Sequence, residues 1–175
     1  MYKAKIIMGI DPGLATVGYA FLKVTDLVKE IIDFGTINTG PELEFSERLL
    51  IIQKDLEELI KKYQPDEVLV EELFFSKNVK TALDVAQARG VILMSVRNMG
   101  LKPRSITPNQ VKLGLTGDGN ADKIQMQDML KLEFNLSERP RPDDAADALG
   151  VAFCGARSKS PNSSECPELP GNNFI

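Results

Sequence analysis

Acidic residues placed where apolar ones are expected mark this chain out. Asp11 closes the run Ile6-Ile7-Met8-Gly9-Ile10 just ahead of Pro12-Gly13, and Glu71 and Glu72 close Val68-Leu69-Val70. A third group lies in Pro142-Asp143-Asp144-Ala145-Ala146-Asp147-Ala148-Leu149-Gly150. A carboxylate at the end of a buried strand loses hydration that only a partner or a cation restores. Asp144 and Asp147, three apart, share one helical face, and the alanines around them keep that face small enough for close approach to a sheet. Plainer readings exist: Asp11 as a turn-initiating residue, and Asp143 and Asp144 as the acidic start of a helix with Asp143 as its N-cap. Neither accounts for Asp147 amid alanines. Strand alternation sends Glu71 and Glu72 to opposite faces, so at most one joins Asp11, and the local sequence leaves open which.

The chain has no histidine, which removes Ser-His-Asp and Cys-His catalysis and histidine metal ligands together. Carboxylates, Lys, Tyr and hydroxyls remain. Two acids from strand ends and two from a helix can surround a pair of Mg²⁺ ions, which prefer oxygen ligands. Paired metals suit phosphodiester hydrolysis, one activating water and the other stabilising the leaving oxygen.

The elements that must position these acids can be read from periodicity. Ala4 to Asp11, Thr16 to Val24 and Ile31 to Asn38 read as three strands with short connections, an antiparallel meander. Phe45, Leu49, Ile52, Leu56, Leu59, Ile60 and Tyr63 recur at helical spacing, with glutamates at the start and Lys61 and Lys62 at the end, as the helix dipole favours. Pro65 stops that helix, and Glu67 to Glu72 reads as a fourth, fully buried strand. Lys77 to Met99 predicts a long, broadly apolar helix with Gly90 in its middle and Gly100 as a left-handed cap, buried on several sides or by a second subunit. Lys102 to Ile106 predicts a fifth strand, and Pro108 to Leu115, Asp122 to Phe134 and Asp143 to Arg157 predict helices. The fold class is α/β, a five-stranded mixed sheet flanked by helices, in the element order of the ribonuclease H-like fold. Residues 1–158 form one domain, and the Pro-, Ser-, Asn- and Gly-rich stretch 159–175 is expected to be a disordered tail.

Length and composition agree with one domain: 175 residues, 43% apolar, suffice for a single core. No run approaches the roughly 20 apolar residues of a membrane span, and the N-terminus does not read as a signal peptide, so a cytoplasmic protein with no membrane partner is expected. Cys154 and Cys166 match no zinc spacing. Net charge is −4, mildly against a nucleic-acid partner, but between Leu73 and Thr116 seven Lys and Arg residues face only Asp84.

Gly9-Ile10-Asp11-Pro12-Gly13 with Gly18, Val70-Glu71-Glu72-Leu73-Phe74, Lys77-Asn78, Gln87-Ala88-Arg89-Gly90-Val91, Gln110-Val111-Lys112, Gly117 to Lys123 and Asp143 to Leu149 follow one another in an order that resembles the RuvC Holliday-junction resolvases over roughly positions 5 to 155. The resemblance implies a homodimeric, Mg²⁺-dependent endonuclease, with two ions per active site and Mn²⁺ able to substitute, that resolves four-way DNA junctions by paired symmetric nicks in recombination and repair. It implies that Asp11, Glu71, Asp144 and Asp147 are the catalytic metal ligands. It implies that Phe74 stacks on bases near the crossover, that Lys112 and Lys123 contact the backbone near the scissile phosphate, and that Lys77 and Arg89 also bind DNA. The RuvA–RuvB branch-migration complex is the implied partner. Phe74 has a second reading as a core residue, the lysines as solvated surface, and Gly117 and Gly119 as an ordinary loop rather than a phosphate cradle.

Three other functions share parts of this pattern. An ATP-dependent kinase or chaperone-like ATPase begins with a similar strand, Asp and glycine turn, but needs two related domains to enclose the nucleotide. A YqgF-type nuclease of RNA processing shares the fold, and the Ala-Ala-Asp helix with the Lys112 and Lys123 segments favours the resolvase. A catalytically silent junction-binding module would not need all four carboxylates.

Overall fold

The computed structural model describes residues 4–26, 28–73 and 79–157, without the side chains of 79–81. Phe74, Lys77 and the predicted tail lie outside the described residues. Among the described residues, β1 (Lys5–Asp11), β2 (Thr16–Val24) and β3 (Lys29–Asn38) form the expected meander, with β2 antiparallel to both β1 and β3. Helix α1 (Phe45–Tyr63) follows, opened by a reciprocal cap in which the Glu44 backbone N–H donates to the Glu47 carboxylate at 2.9 Å. Then come β4 (Glu67–Glu71), α2 (Val79–Asn98), β5 (Pro103–Ile106), α3 (Pro108–Thr116), α4 (Lys123–Glu133) and α5 (Asp143–Arg157). The sheet order is β3-β2-β1-β4-β5, and β4 runs parallel to both β1 and β5. The mixed sheet expected from the sequence is therefore present, with boundaries displaced by one or two residues.

Alternation along the strands divides the core in two. Met8, Ile10, Phe21, Val68 and Val70 point to one face, where Ile52, Leu56 and Ile60 of α1 and Ala88, Ile92 and Val96 of α2 cover them. Ile7, Ala20, Leu22 and Leu69 point to the other, against Ala148, Leu149, Ala152 and Phe153 of α5, with α3 and α4 outside it. Helix α5 lies unusually close to the sheet. A Cβ on Gly9 would fall 2.3 Å from the Ala148 carbonyl oxygen, and one on Gly18 would fall 1.9 Å from that of Asp144. Only hydrogen at these two sheet positions allows the backbone of α5 to rest on β1 and β2.

One reading changes, and one open alternative gains support. Asp143 is the first residue of α5, not its cap: the i→i−4 bond runs from the Ala146 N–H to the Pro142 carbonyl at 3.0 Å, and the Asp143 carboxylate turns instead to α4. Gly117, at φ +80°, closes α3 by donating to the Leu113 carbonyl at 2.9 Å, which is the ordinary loop role.

Candidate active site

Period-two alternation decides which strand-end acids meet. Ile7, Gly9 and Asp11 face α5, as do Leu69 and, two residues on, Glu71. Ile10 is paired with Val70 across the parallel β1–β4 seam, so Asp11 and Glu71 leave adjacent strands side by side. Glu72, exposed and beyond the end of β4, lines a cleft of about 630 Å³ with Leu73, Thr107, Pro108 and Lys112. The glutamate left open by the local sequence is thus settled: Glu71 faces Asp11. Asp11 also sits opposite Gly18 on β2, whose missing side chain brings the first turn of α5, and with it Asp144 and Asp147, over the same strand ends.

The charges of Glu71, Asp147 and Asp144 all reach Asp11. Burial pushes the Asp11 carboxyl up to about 8, reinforced by the charges of Glu71, Asp147 and Asp144. Burial and Asp147 push Glu71 up to about 7, opposed by a hydrogen bond from Asp11 and by the charges of Lys112 and Lys123. Asp147 is also raised, mainly by burial, while its bond to Lys123 works the other way. The Lys123 ammonium lies 3.1 Å from Asp147 and 3.4 Å from Asp143, and the Gln127 side-chain amide donates to Asp143 at 3.0 Å. Asp143 therefore belongs to a bridge between α4 and α5 at the rim.

Among the described residues, no three of these carboxylates already stand as a closed metal cage. They are joined by field, with Asp147 drawn toward Lys123. The donor chemistry nevertheless fits a hard divalent cation: every donor is a carboxylate oxygen, and Asp11 and Glu71 are raised first by burial and then by neighbouring carboxylates, both of which a bound cation would offset.

The turn that follows Asp11 is braced by residues the sequence did not single out. Thr39, 5% exposed, donates its hydroxyl to the Leu14 carbonyl at 2.6 Å and its N–H to that of Ala15 at 2.9 Å. Its hydroxyl also accepts from Arg48 Nε at 2.8 Å. A polar residue directly after a strand, with an Arg nine residues on, was the only available signal. The predicted basic region is less uniform than its composition: Arg104 is paired with Glu67 at 3.2 Å, and Arg89 is turned inward. Arg89 donates from Nε to the Glu71 carbonyl at 3.0 Å and from Nη2 to the Ser105 hydroxyl at 2.8 Å.

Comparison with known proteins gives this arrangement its place. Residues 7–155 match the family model described as crossover junction endodeoxyribonuclease RuvC. The chain is 50% identical over 153 residues to the crossover junction endodeoxyribonuclease RuvC of Halothermothrix orenii, covering 87% of this chain and 93% of that one. This chain belongs to the RuvC family. To the RuvC of Clostridioides difficile it is 46% identical, again covering 87% of this chain and 90% of the other. Among solved structures it superposes on Thermus thermophilus RuvC in complex with a Holliday junction substrate, with a TM-score of 0.82 and 31% identity, over 87% of this chain and 93% of that one. The matched span runs from within β1 to near the end of α5, so the RuvC likeness takes in every element that carries an acid of the cluster.

Proposed function

We propose that this RuvC protein is a structure-selective DNA endonuclease that resolves four-way junctions by paired symmetric nicks, using Asp11, Glu71, Asp144 and Asp147 to hold Mg²⁺, two ions per site, with Mn²⁺ as a substitute. The observation that carries this reading is that the charges of Glu71, Asp147 and Asp144, from a strand end and one helix, all act on the buried Asp11, with Lys112 and Lys123 acting on Glu71. When bound, the divalent cations supply activation of water and stabilisation of the leaving oxygen of an in-line displacement. Lys112 and Lys123 offset phosphate charge without reading sequence, as the backbone of any junction requires. Gly18 and the Thr39–Arg48 brace fix where Asp144 and Asp11 stand.

Cutting two strands symmetrically calls for two sites related by a twofold axis, hence a homodimer. Helix α2 supplies a suitable face: Leu83 is 57% and Met94 48% exposed, Gly90 lies between them at spacings of seven and four, and a Cβ at Gly90 would meet nothing of its own chain within 4 Å. The RuvA–RuvB branch-migration complex is the partner the family resemblance points to. No helix among the described residues is long and apolar enough to cross a membrane.

Incubation of the purified protein and Mg²⁺ with a synthetic four-way junction and with linear duplex tests the proposal. Symmetric paired nicks in the junction alone are expected. Equal nicking of linear duplex, or cutting of structured RNA in preference to the junction, would replace it with a general nuclease or an RNA-processing one.

A further inference from the structure

We propose that Arg89 is a positioning residue that holds the Glu71 end of β4 in place for metal binding, and that it is not a phosphate contact. The inference rests on the metal-site reading of Glu71 given above.

Glu71 is the last residue of β4, where the ladder with β5 runs out. The Glu72 N–H still donates to the Ile106 carbonyl at 2.8 Å, but beyond it the chain leaves the sheet. The Glu71 carbonyl lies on the other edge of that same planar peptide, and without a donor of its own the unit is held from one side only and can tilt about the Glu72 N–H bond. Arg89 supplies that donor from a different layer. It follows Ala88, which is fully buried against the sheet with Ile92 and Val96, so the backbone of α2 is fixed at this point by apolar packing. From that fixed base the guanidinium reaches the Glu71 carbonyl with Nε and the Ser105 hydroxyl of β5 with Nη2. Two donors in a planar fork tie β4, β5 and α2 together at one residue, a geometry that the single ammonium of lysine does not reproduce. Rotation of the Glu71 peptide would carry its side chain away from Asp11. A group that orients a ligand from behind typically governs metal affinity and rate by 10–100-fold, whereas a phosphate contact governs DNA affinity and its salt dependence.

The test uses the full chain with Arg89→Ala, Arg89→Lys and Ser105→Ala. Three quantities are measured: Mn²⁺ affinity without DNA by electron paramagnetic resonance, junction affinity in EDTA across a salt series, and single-turnover cleavage at saturating enzyme as a function of Mg²⁺. Both Arg89 variants are expected to bind Mn²⁺ about 10-fold more weakly and to cleave roughly 10–100-fold more slowly, with part of the rate restored at high Mg²⁺. Junction affinity and salt slope should stay within about twofold of wild type, since no phosphate contact is lost. Ser105→Ala keeps the charge and removes one partner of the fork, so a smaller loss in the same direction is expected. It also carries the test should Arg89→Ala fail to fold. Near-normal Arg89→Lys, or weaker junction binding with a salt slope reduced by about 1 and an unchanged Mn²⁺ affinity, would make Arg89 a phosphate contact and overturn the inference. Wild-type Mn²⁺ affinity and rate in Ser105→Ala would also count against it. Failure of the wild-type protein itself to bind Mn²⁺ would instead remove the reading of Glu71 on which it depends.

Discussion

At the scale of single residues, the acids of the site are buried and crowded, and the proposed cation would relieve both. Asp11→Asn removes one metal-binding carboxylate and nearly keeps the shape, so Mg²⁺-dependent cleavage should be abolished. In EDTA the junction should bind as tightly as to wild type below about pH 8, where Asp11 carries a proton, and more tightly above it, where one charge fewer opposes the phosphates, most visibly at low salt. Fluorescence anisotropy across a salt series reads this. Clearly weaker binding with the fold intact would make Asp11 a turn residue or a direct DNA contact. The same crowding links stability to pH. Asp11 and Glu71 hold their protons up to about 8 and about 7 in the folded chain, against about 4 when unfolded. The folded state thus binds more protons than the unfolded state between those values, so stability present at low pH is lost as pH rises through that window. In EDTA the melting temperature should fall from pH 5 to pH 8.5, millimolar Mg²⁺ should offset the fall, and Asp11→Asn should flatten it. A melting curve in EDTA that is indifferent to pH would mean that the acids are not crowded.

At the scale of elements, α5 serves as both core and active-site wall, and this dual role rests on two glycines. Along α5, Ala145, Ala146, Ala148, Ala152 and their larger neighbours are all buried, so the helix cannot shift outward without opening the core. Gly18→Ala places a methyl group against the Asp144 carbonyl, which is backbone and cannot swing aside. A loss of about 3 kcal/mol is expected in urea unfolding, at the upper end of overpacking effects. Cleavage should fall by more than the folded fraction alone explains, since Asp144 moves with the helix. A stable, fully active Gly18→Ala protein would show that α5 has slack.

At the scale of the whole molecule, the charge balance and the exposed stripe of α2 belong together. With a net charge of −4 the chain as a whole does not attract DNA over distance, so affinity is expected from local geometry, which the proposed dimer would present twice. Sedimentation at micromolar concentration should give a particle of twice 19.3 kDa. The double variant Leu83→Glu/Met94→Glu should sediment as the single chain and lose paired nicking while keeping its Mn²⁺ affinity. A wild-type protein that stays at 19.3 kDa with and without junction would exclude the dimer.

What could be read from the sequence is what repeats along the chain. Apolar runs, the helical spacing of α1 and the Gly and Pro residues between segments marked the elements from β1 to α5, and the antiparallel meander came from the short connections between its strands. The acids stood out because carboxylates ending apolar runs contradict their surroundings, as did Asp147 among alanines. What the linear pattern could not hold was the choice between equivalent partners. Alternation separates Glu71 from Glu72 without saying which side α5 covers. Composition makes Arg89 one cation among seven, and only packing turns it toward the Glu71 carbonyl. Asp143 reads as a helix cap until α4 places Lys123 and Gln127 beside it. Thr39 and Arg48 meet the turn after Asp11 across 25 and more residues. Such pairings are fixed by the crossing of layers, where the absence of a side chain at Gly9 and Gly18 sets the distance of a helix from a sheet, and no local propensity encodes that distance.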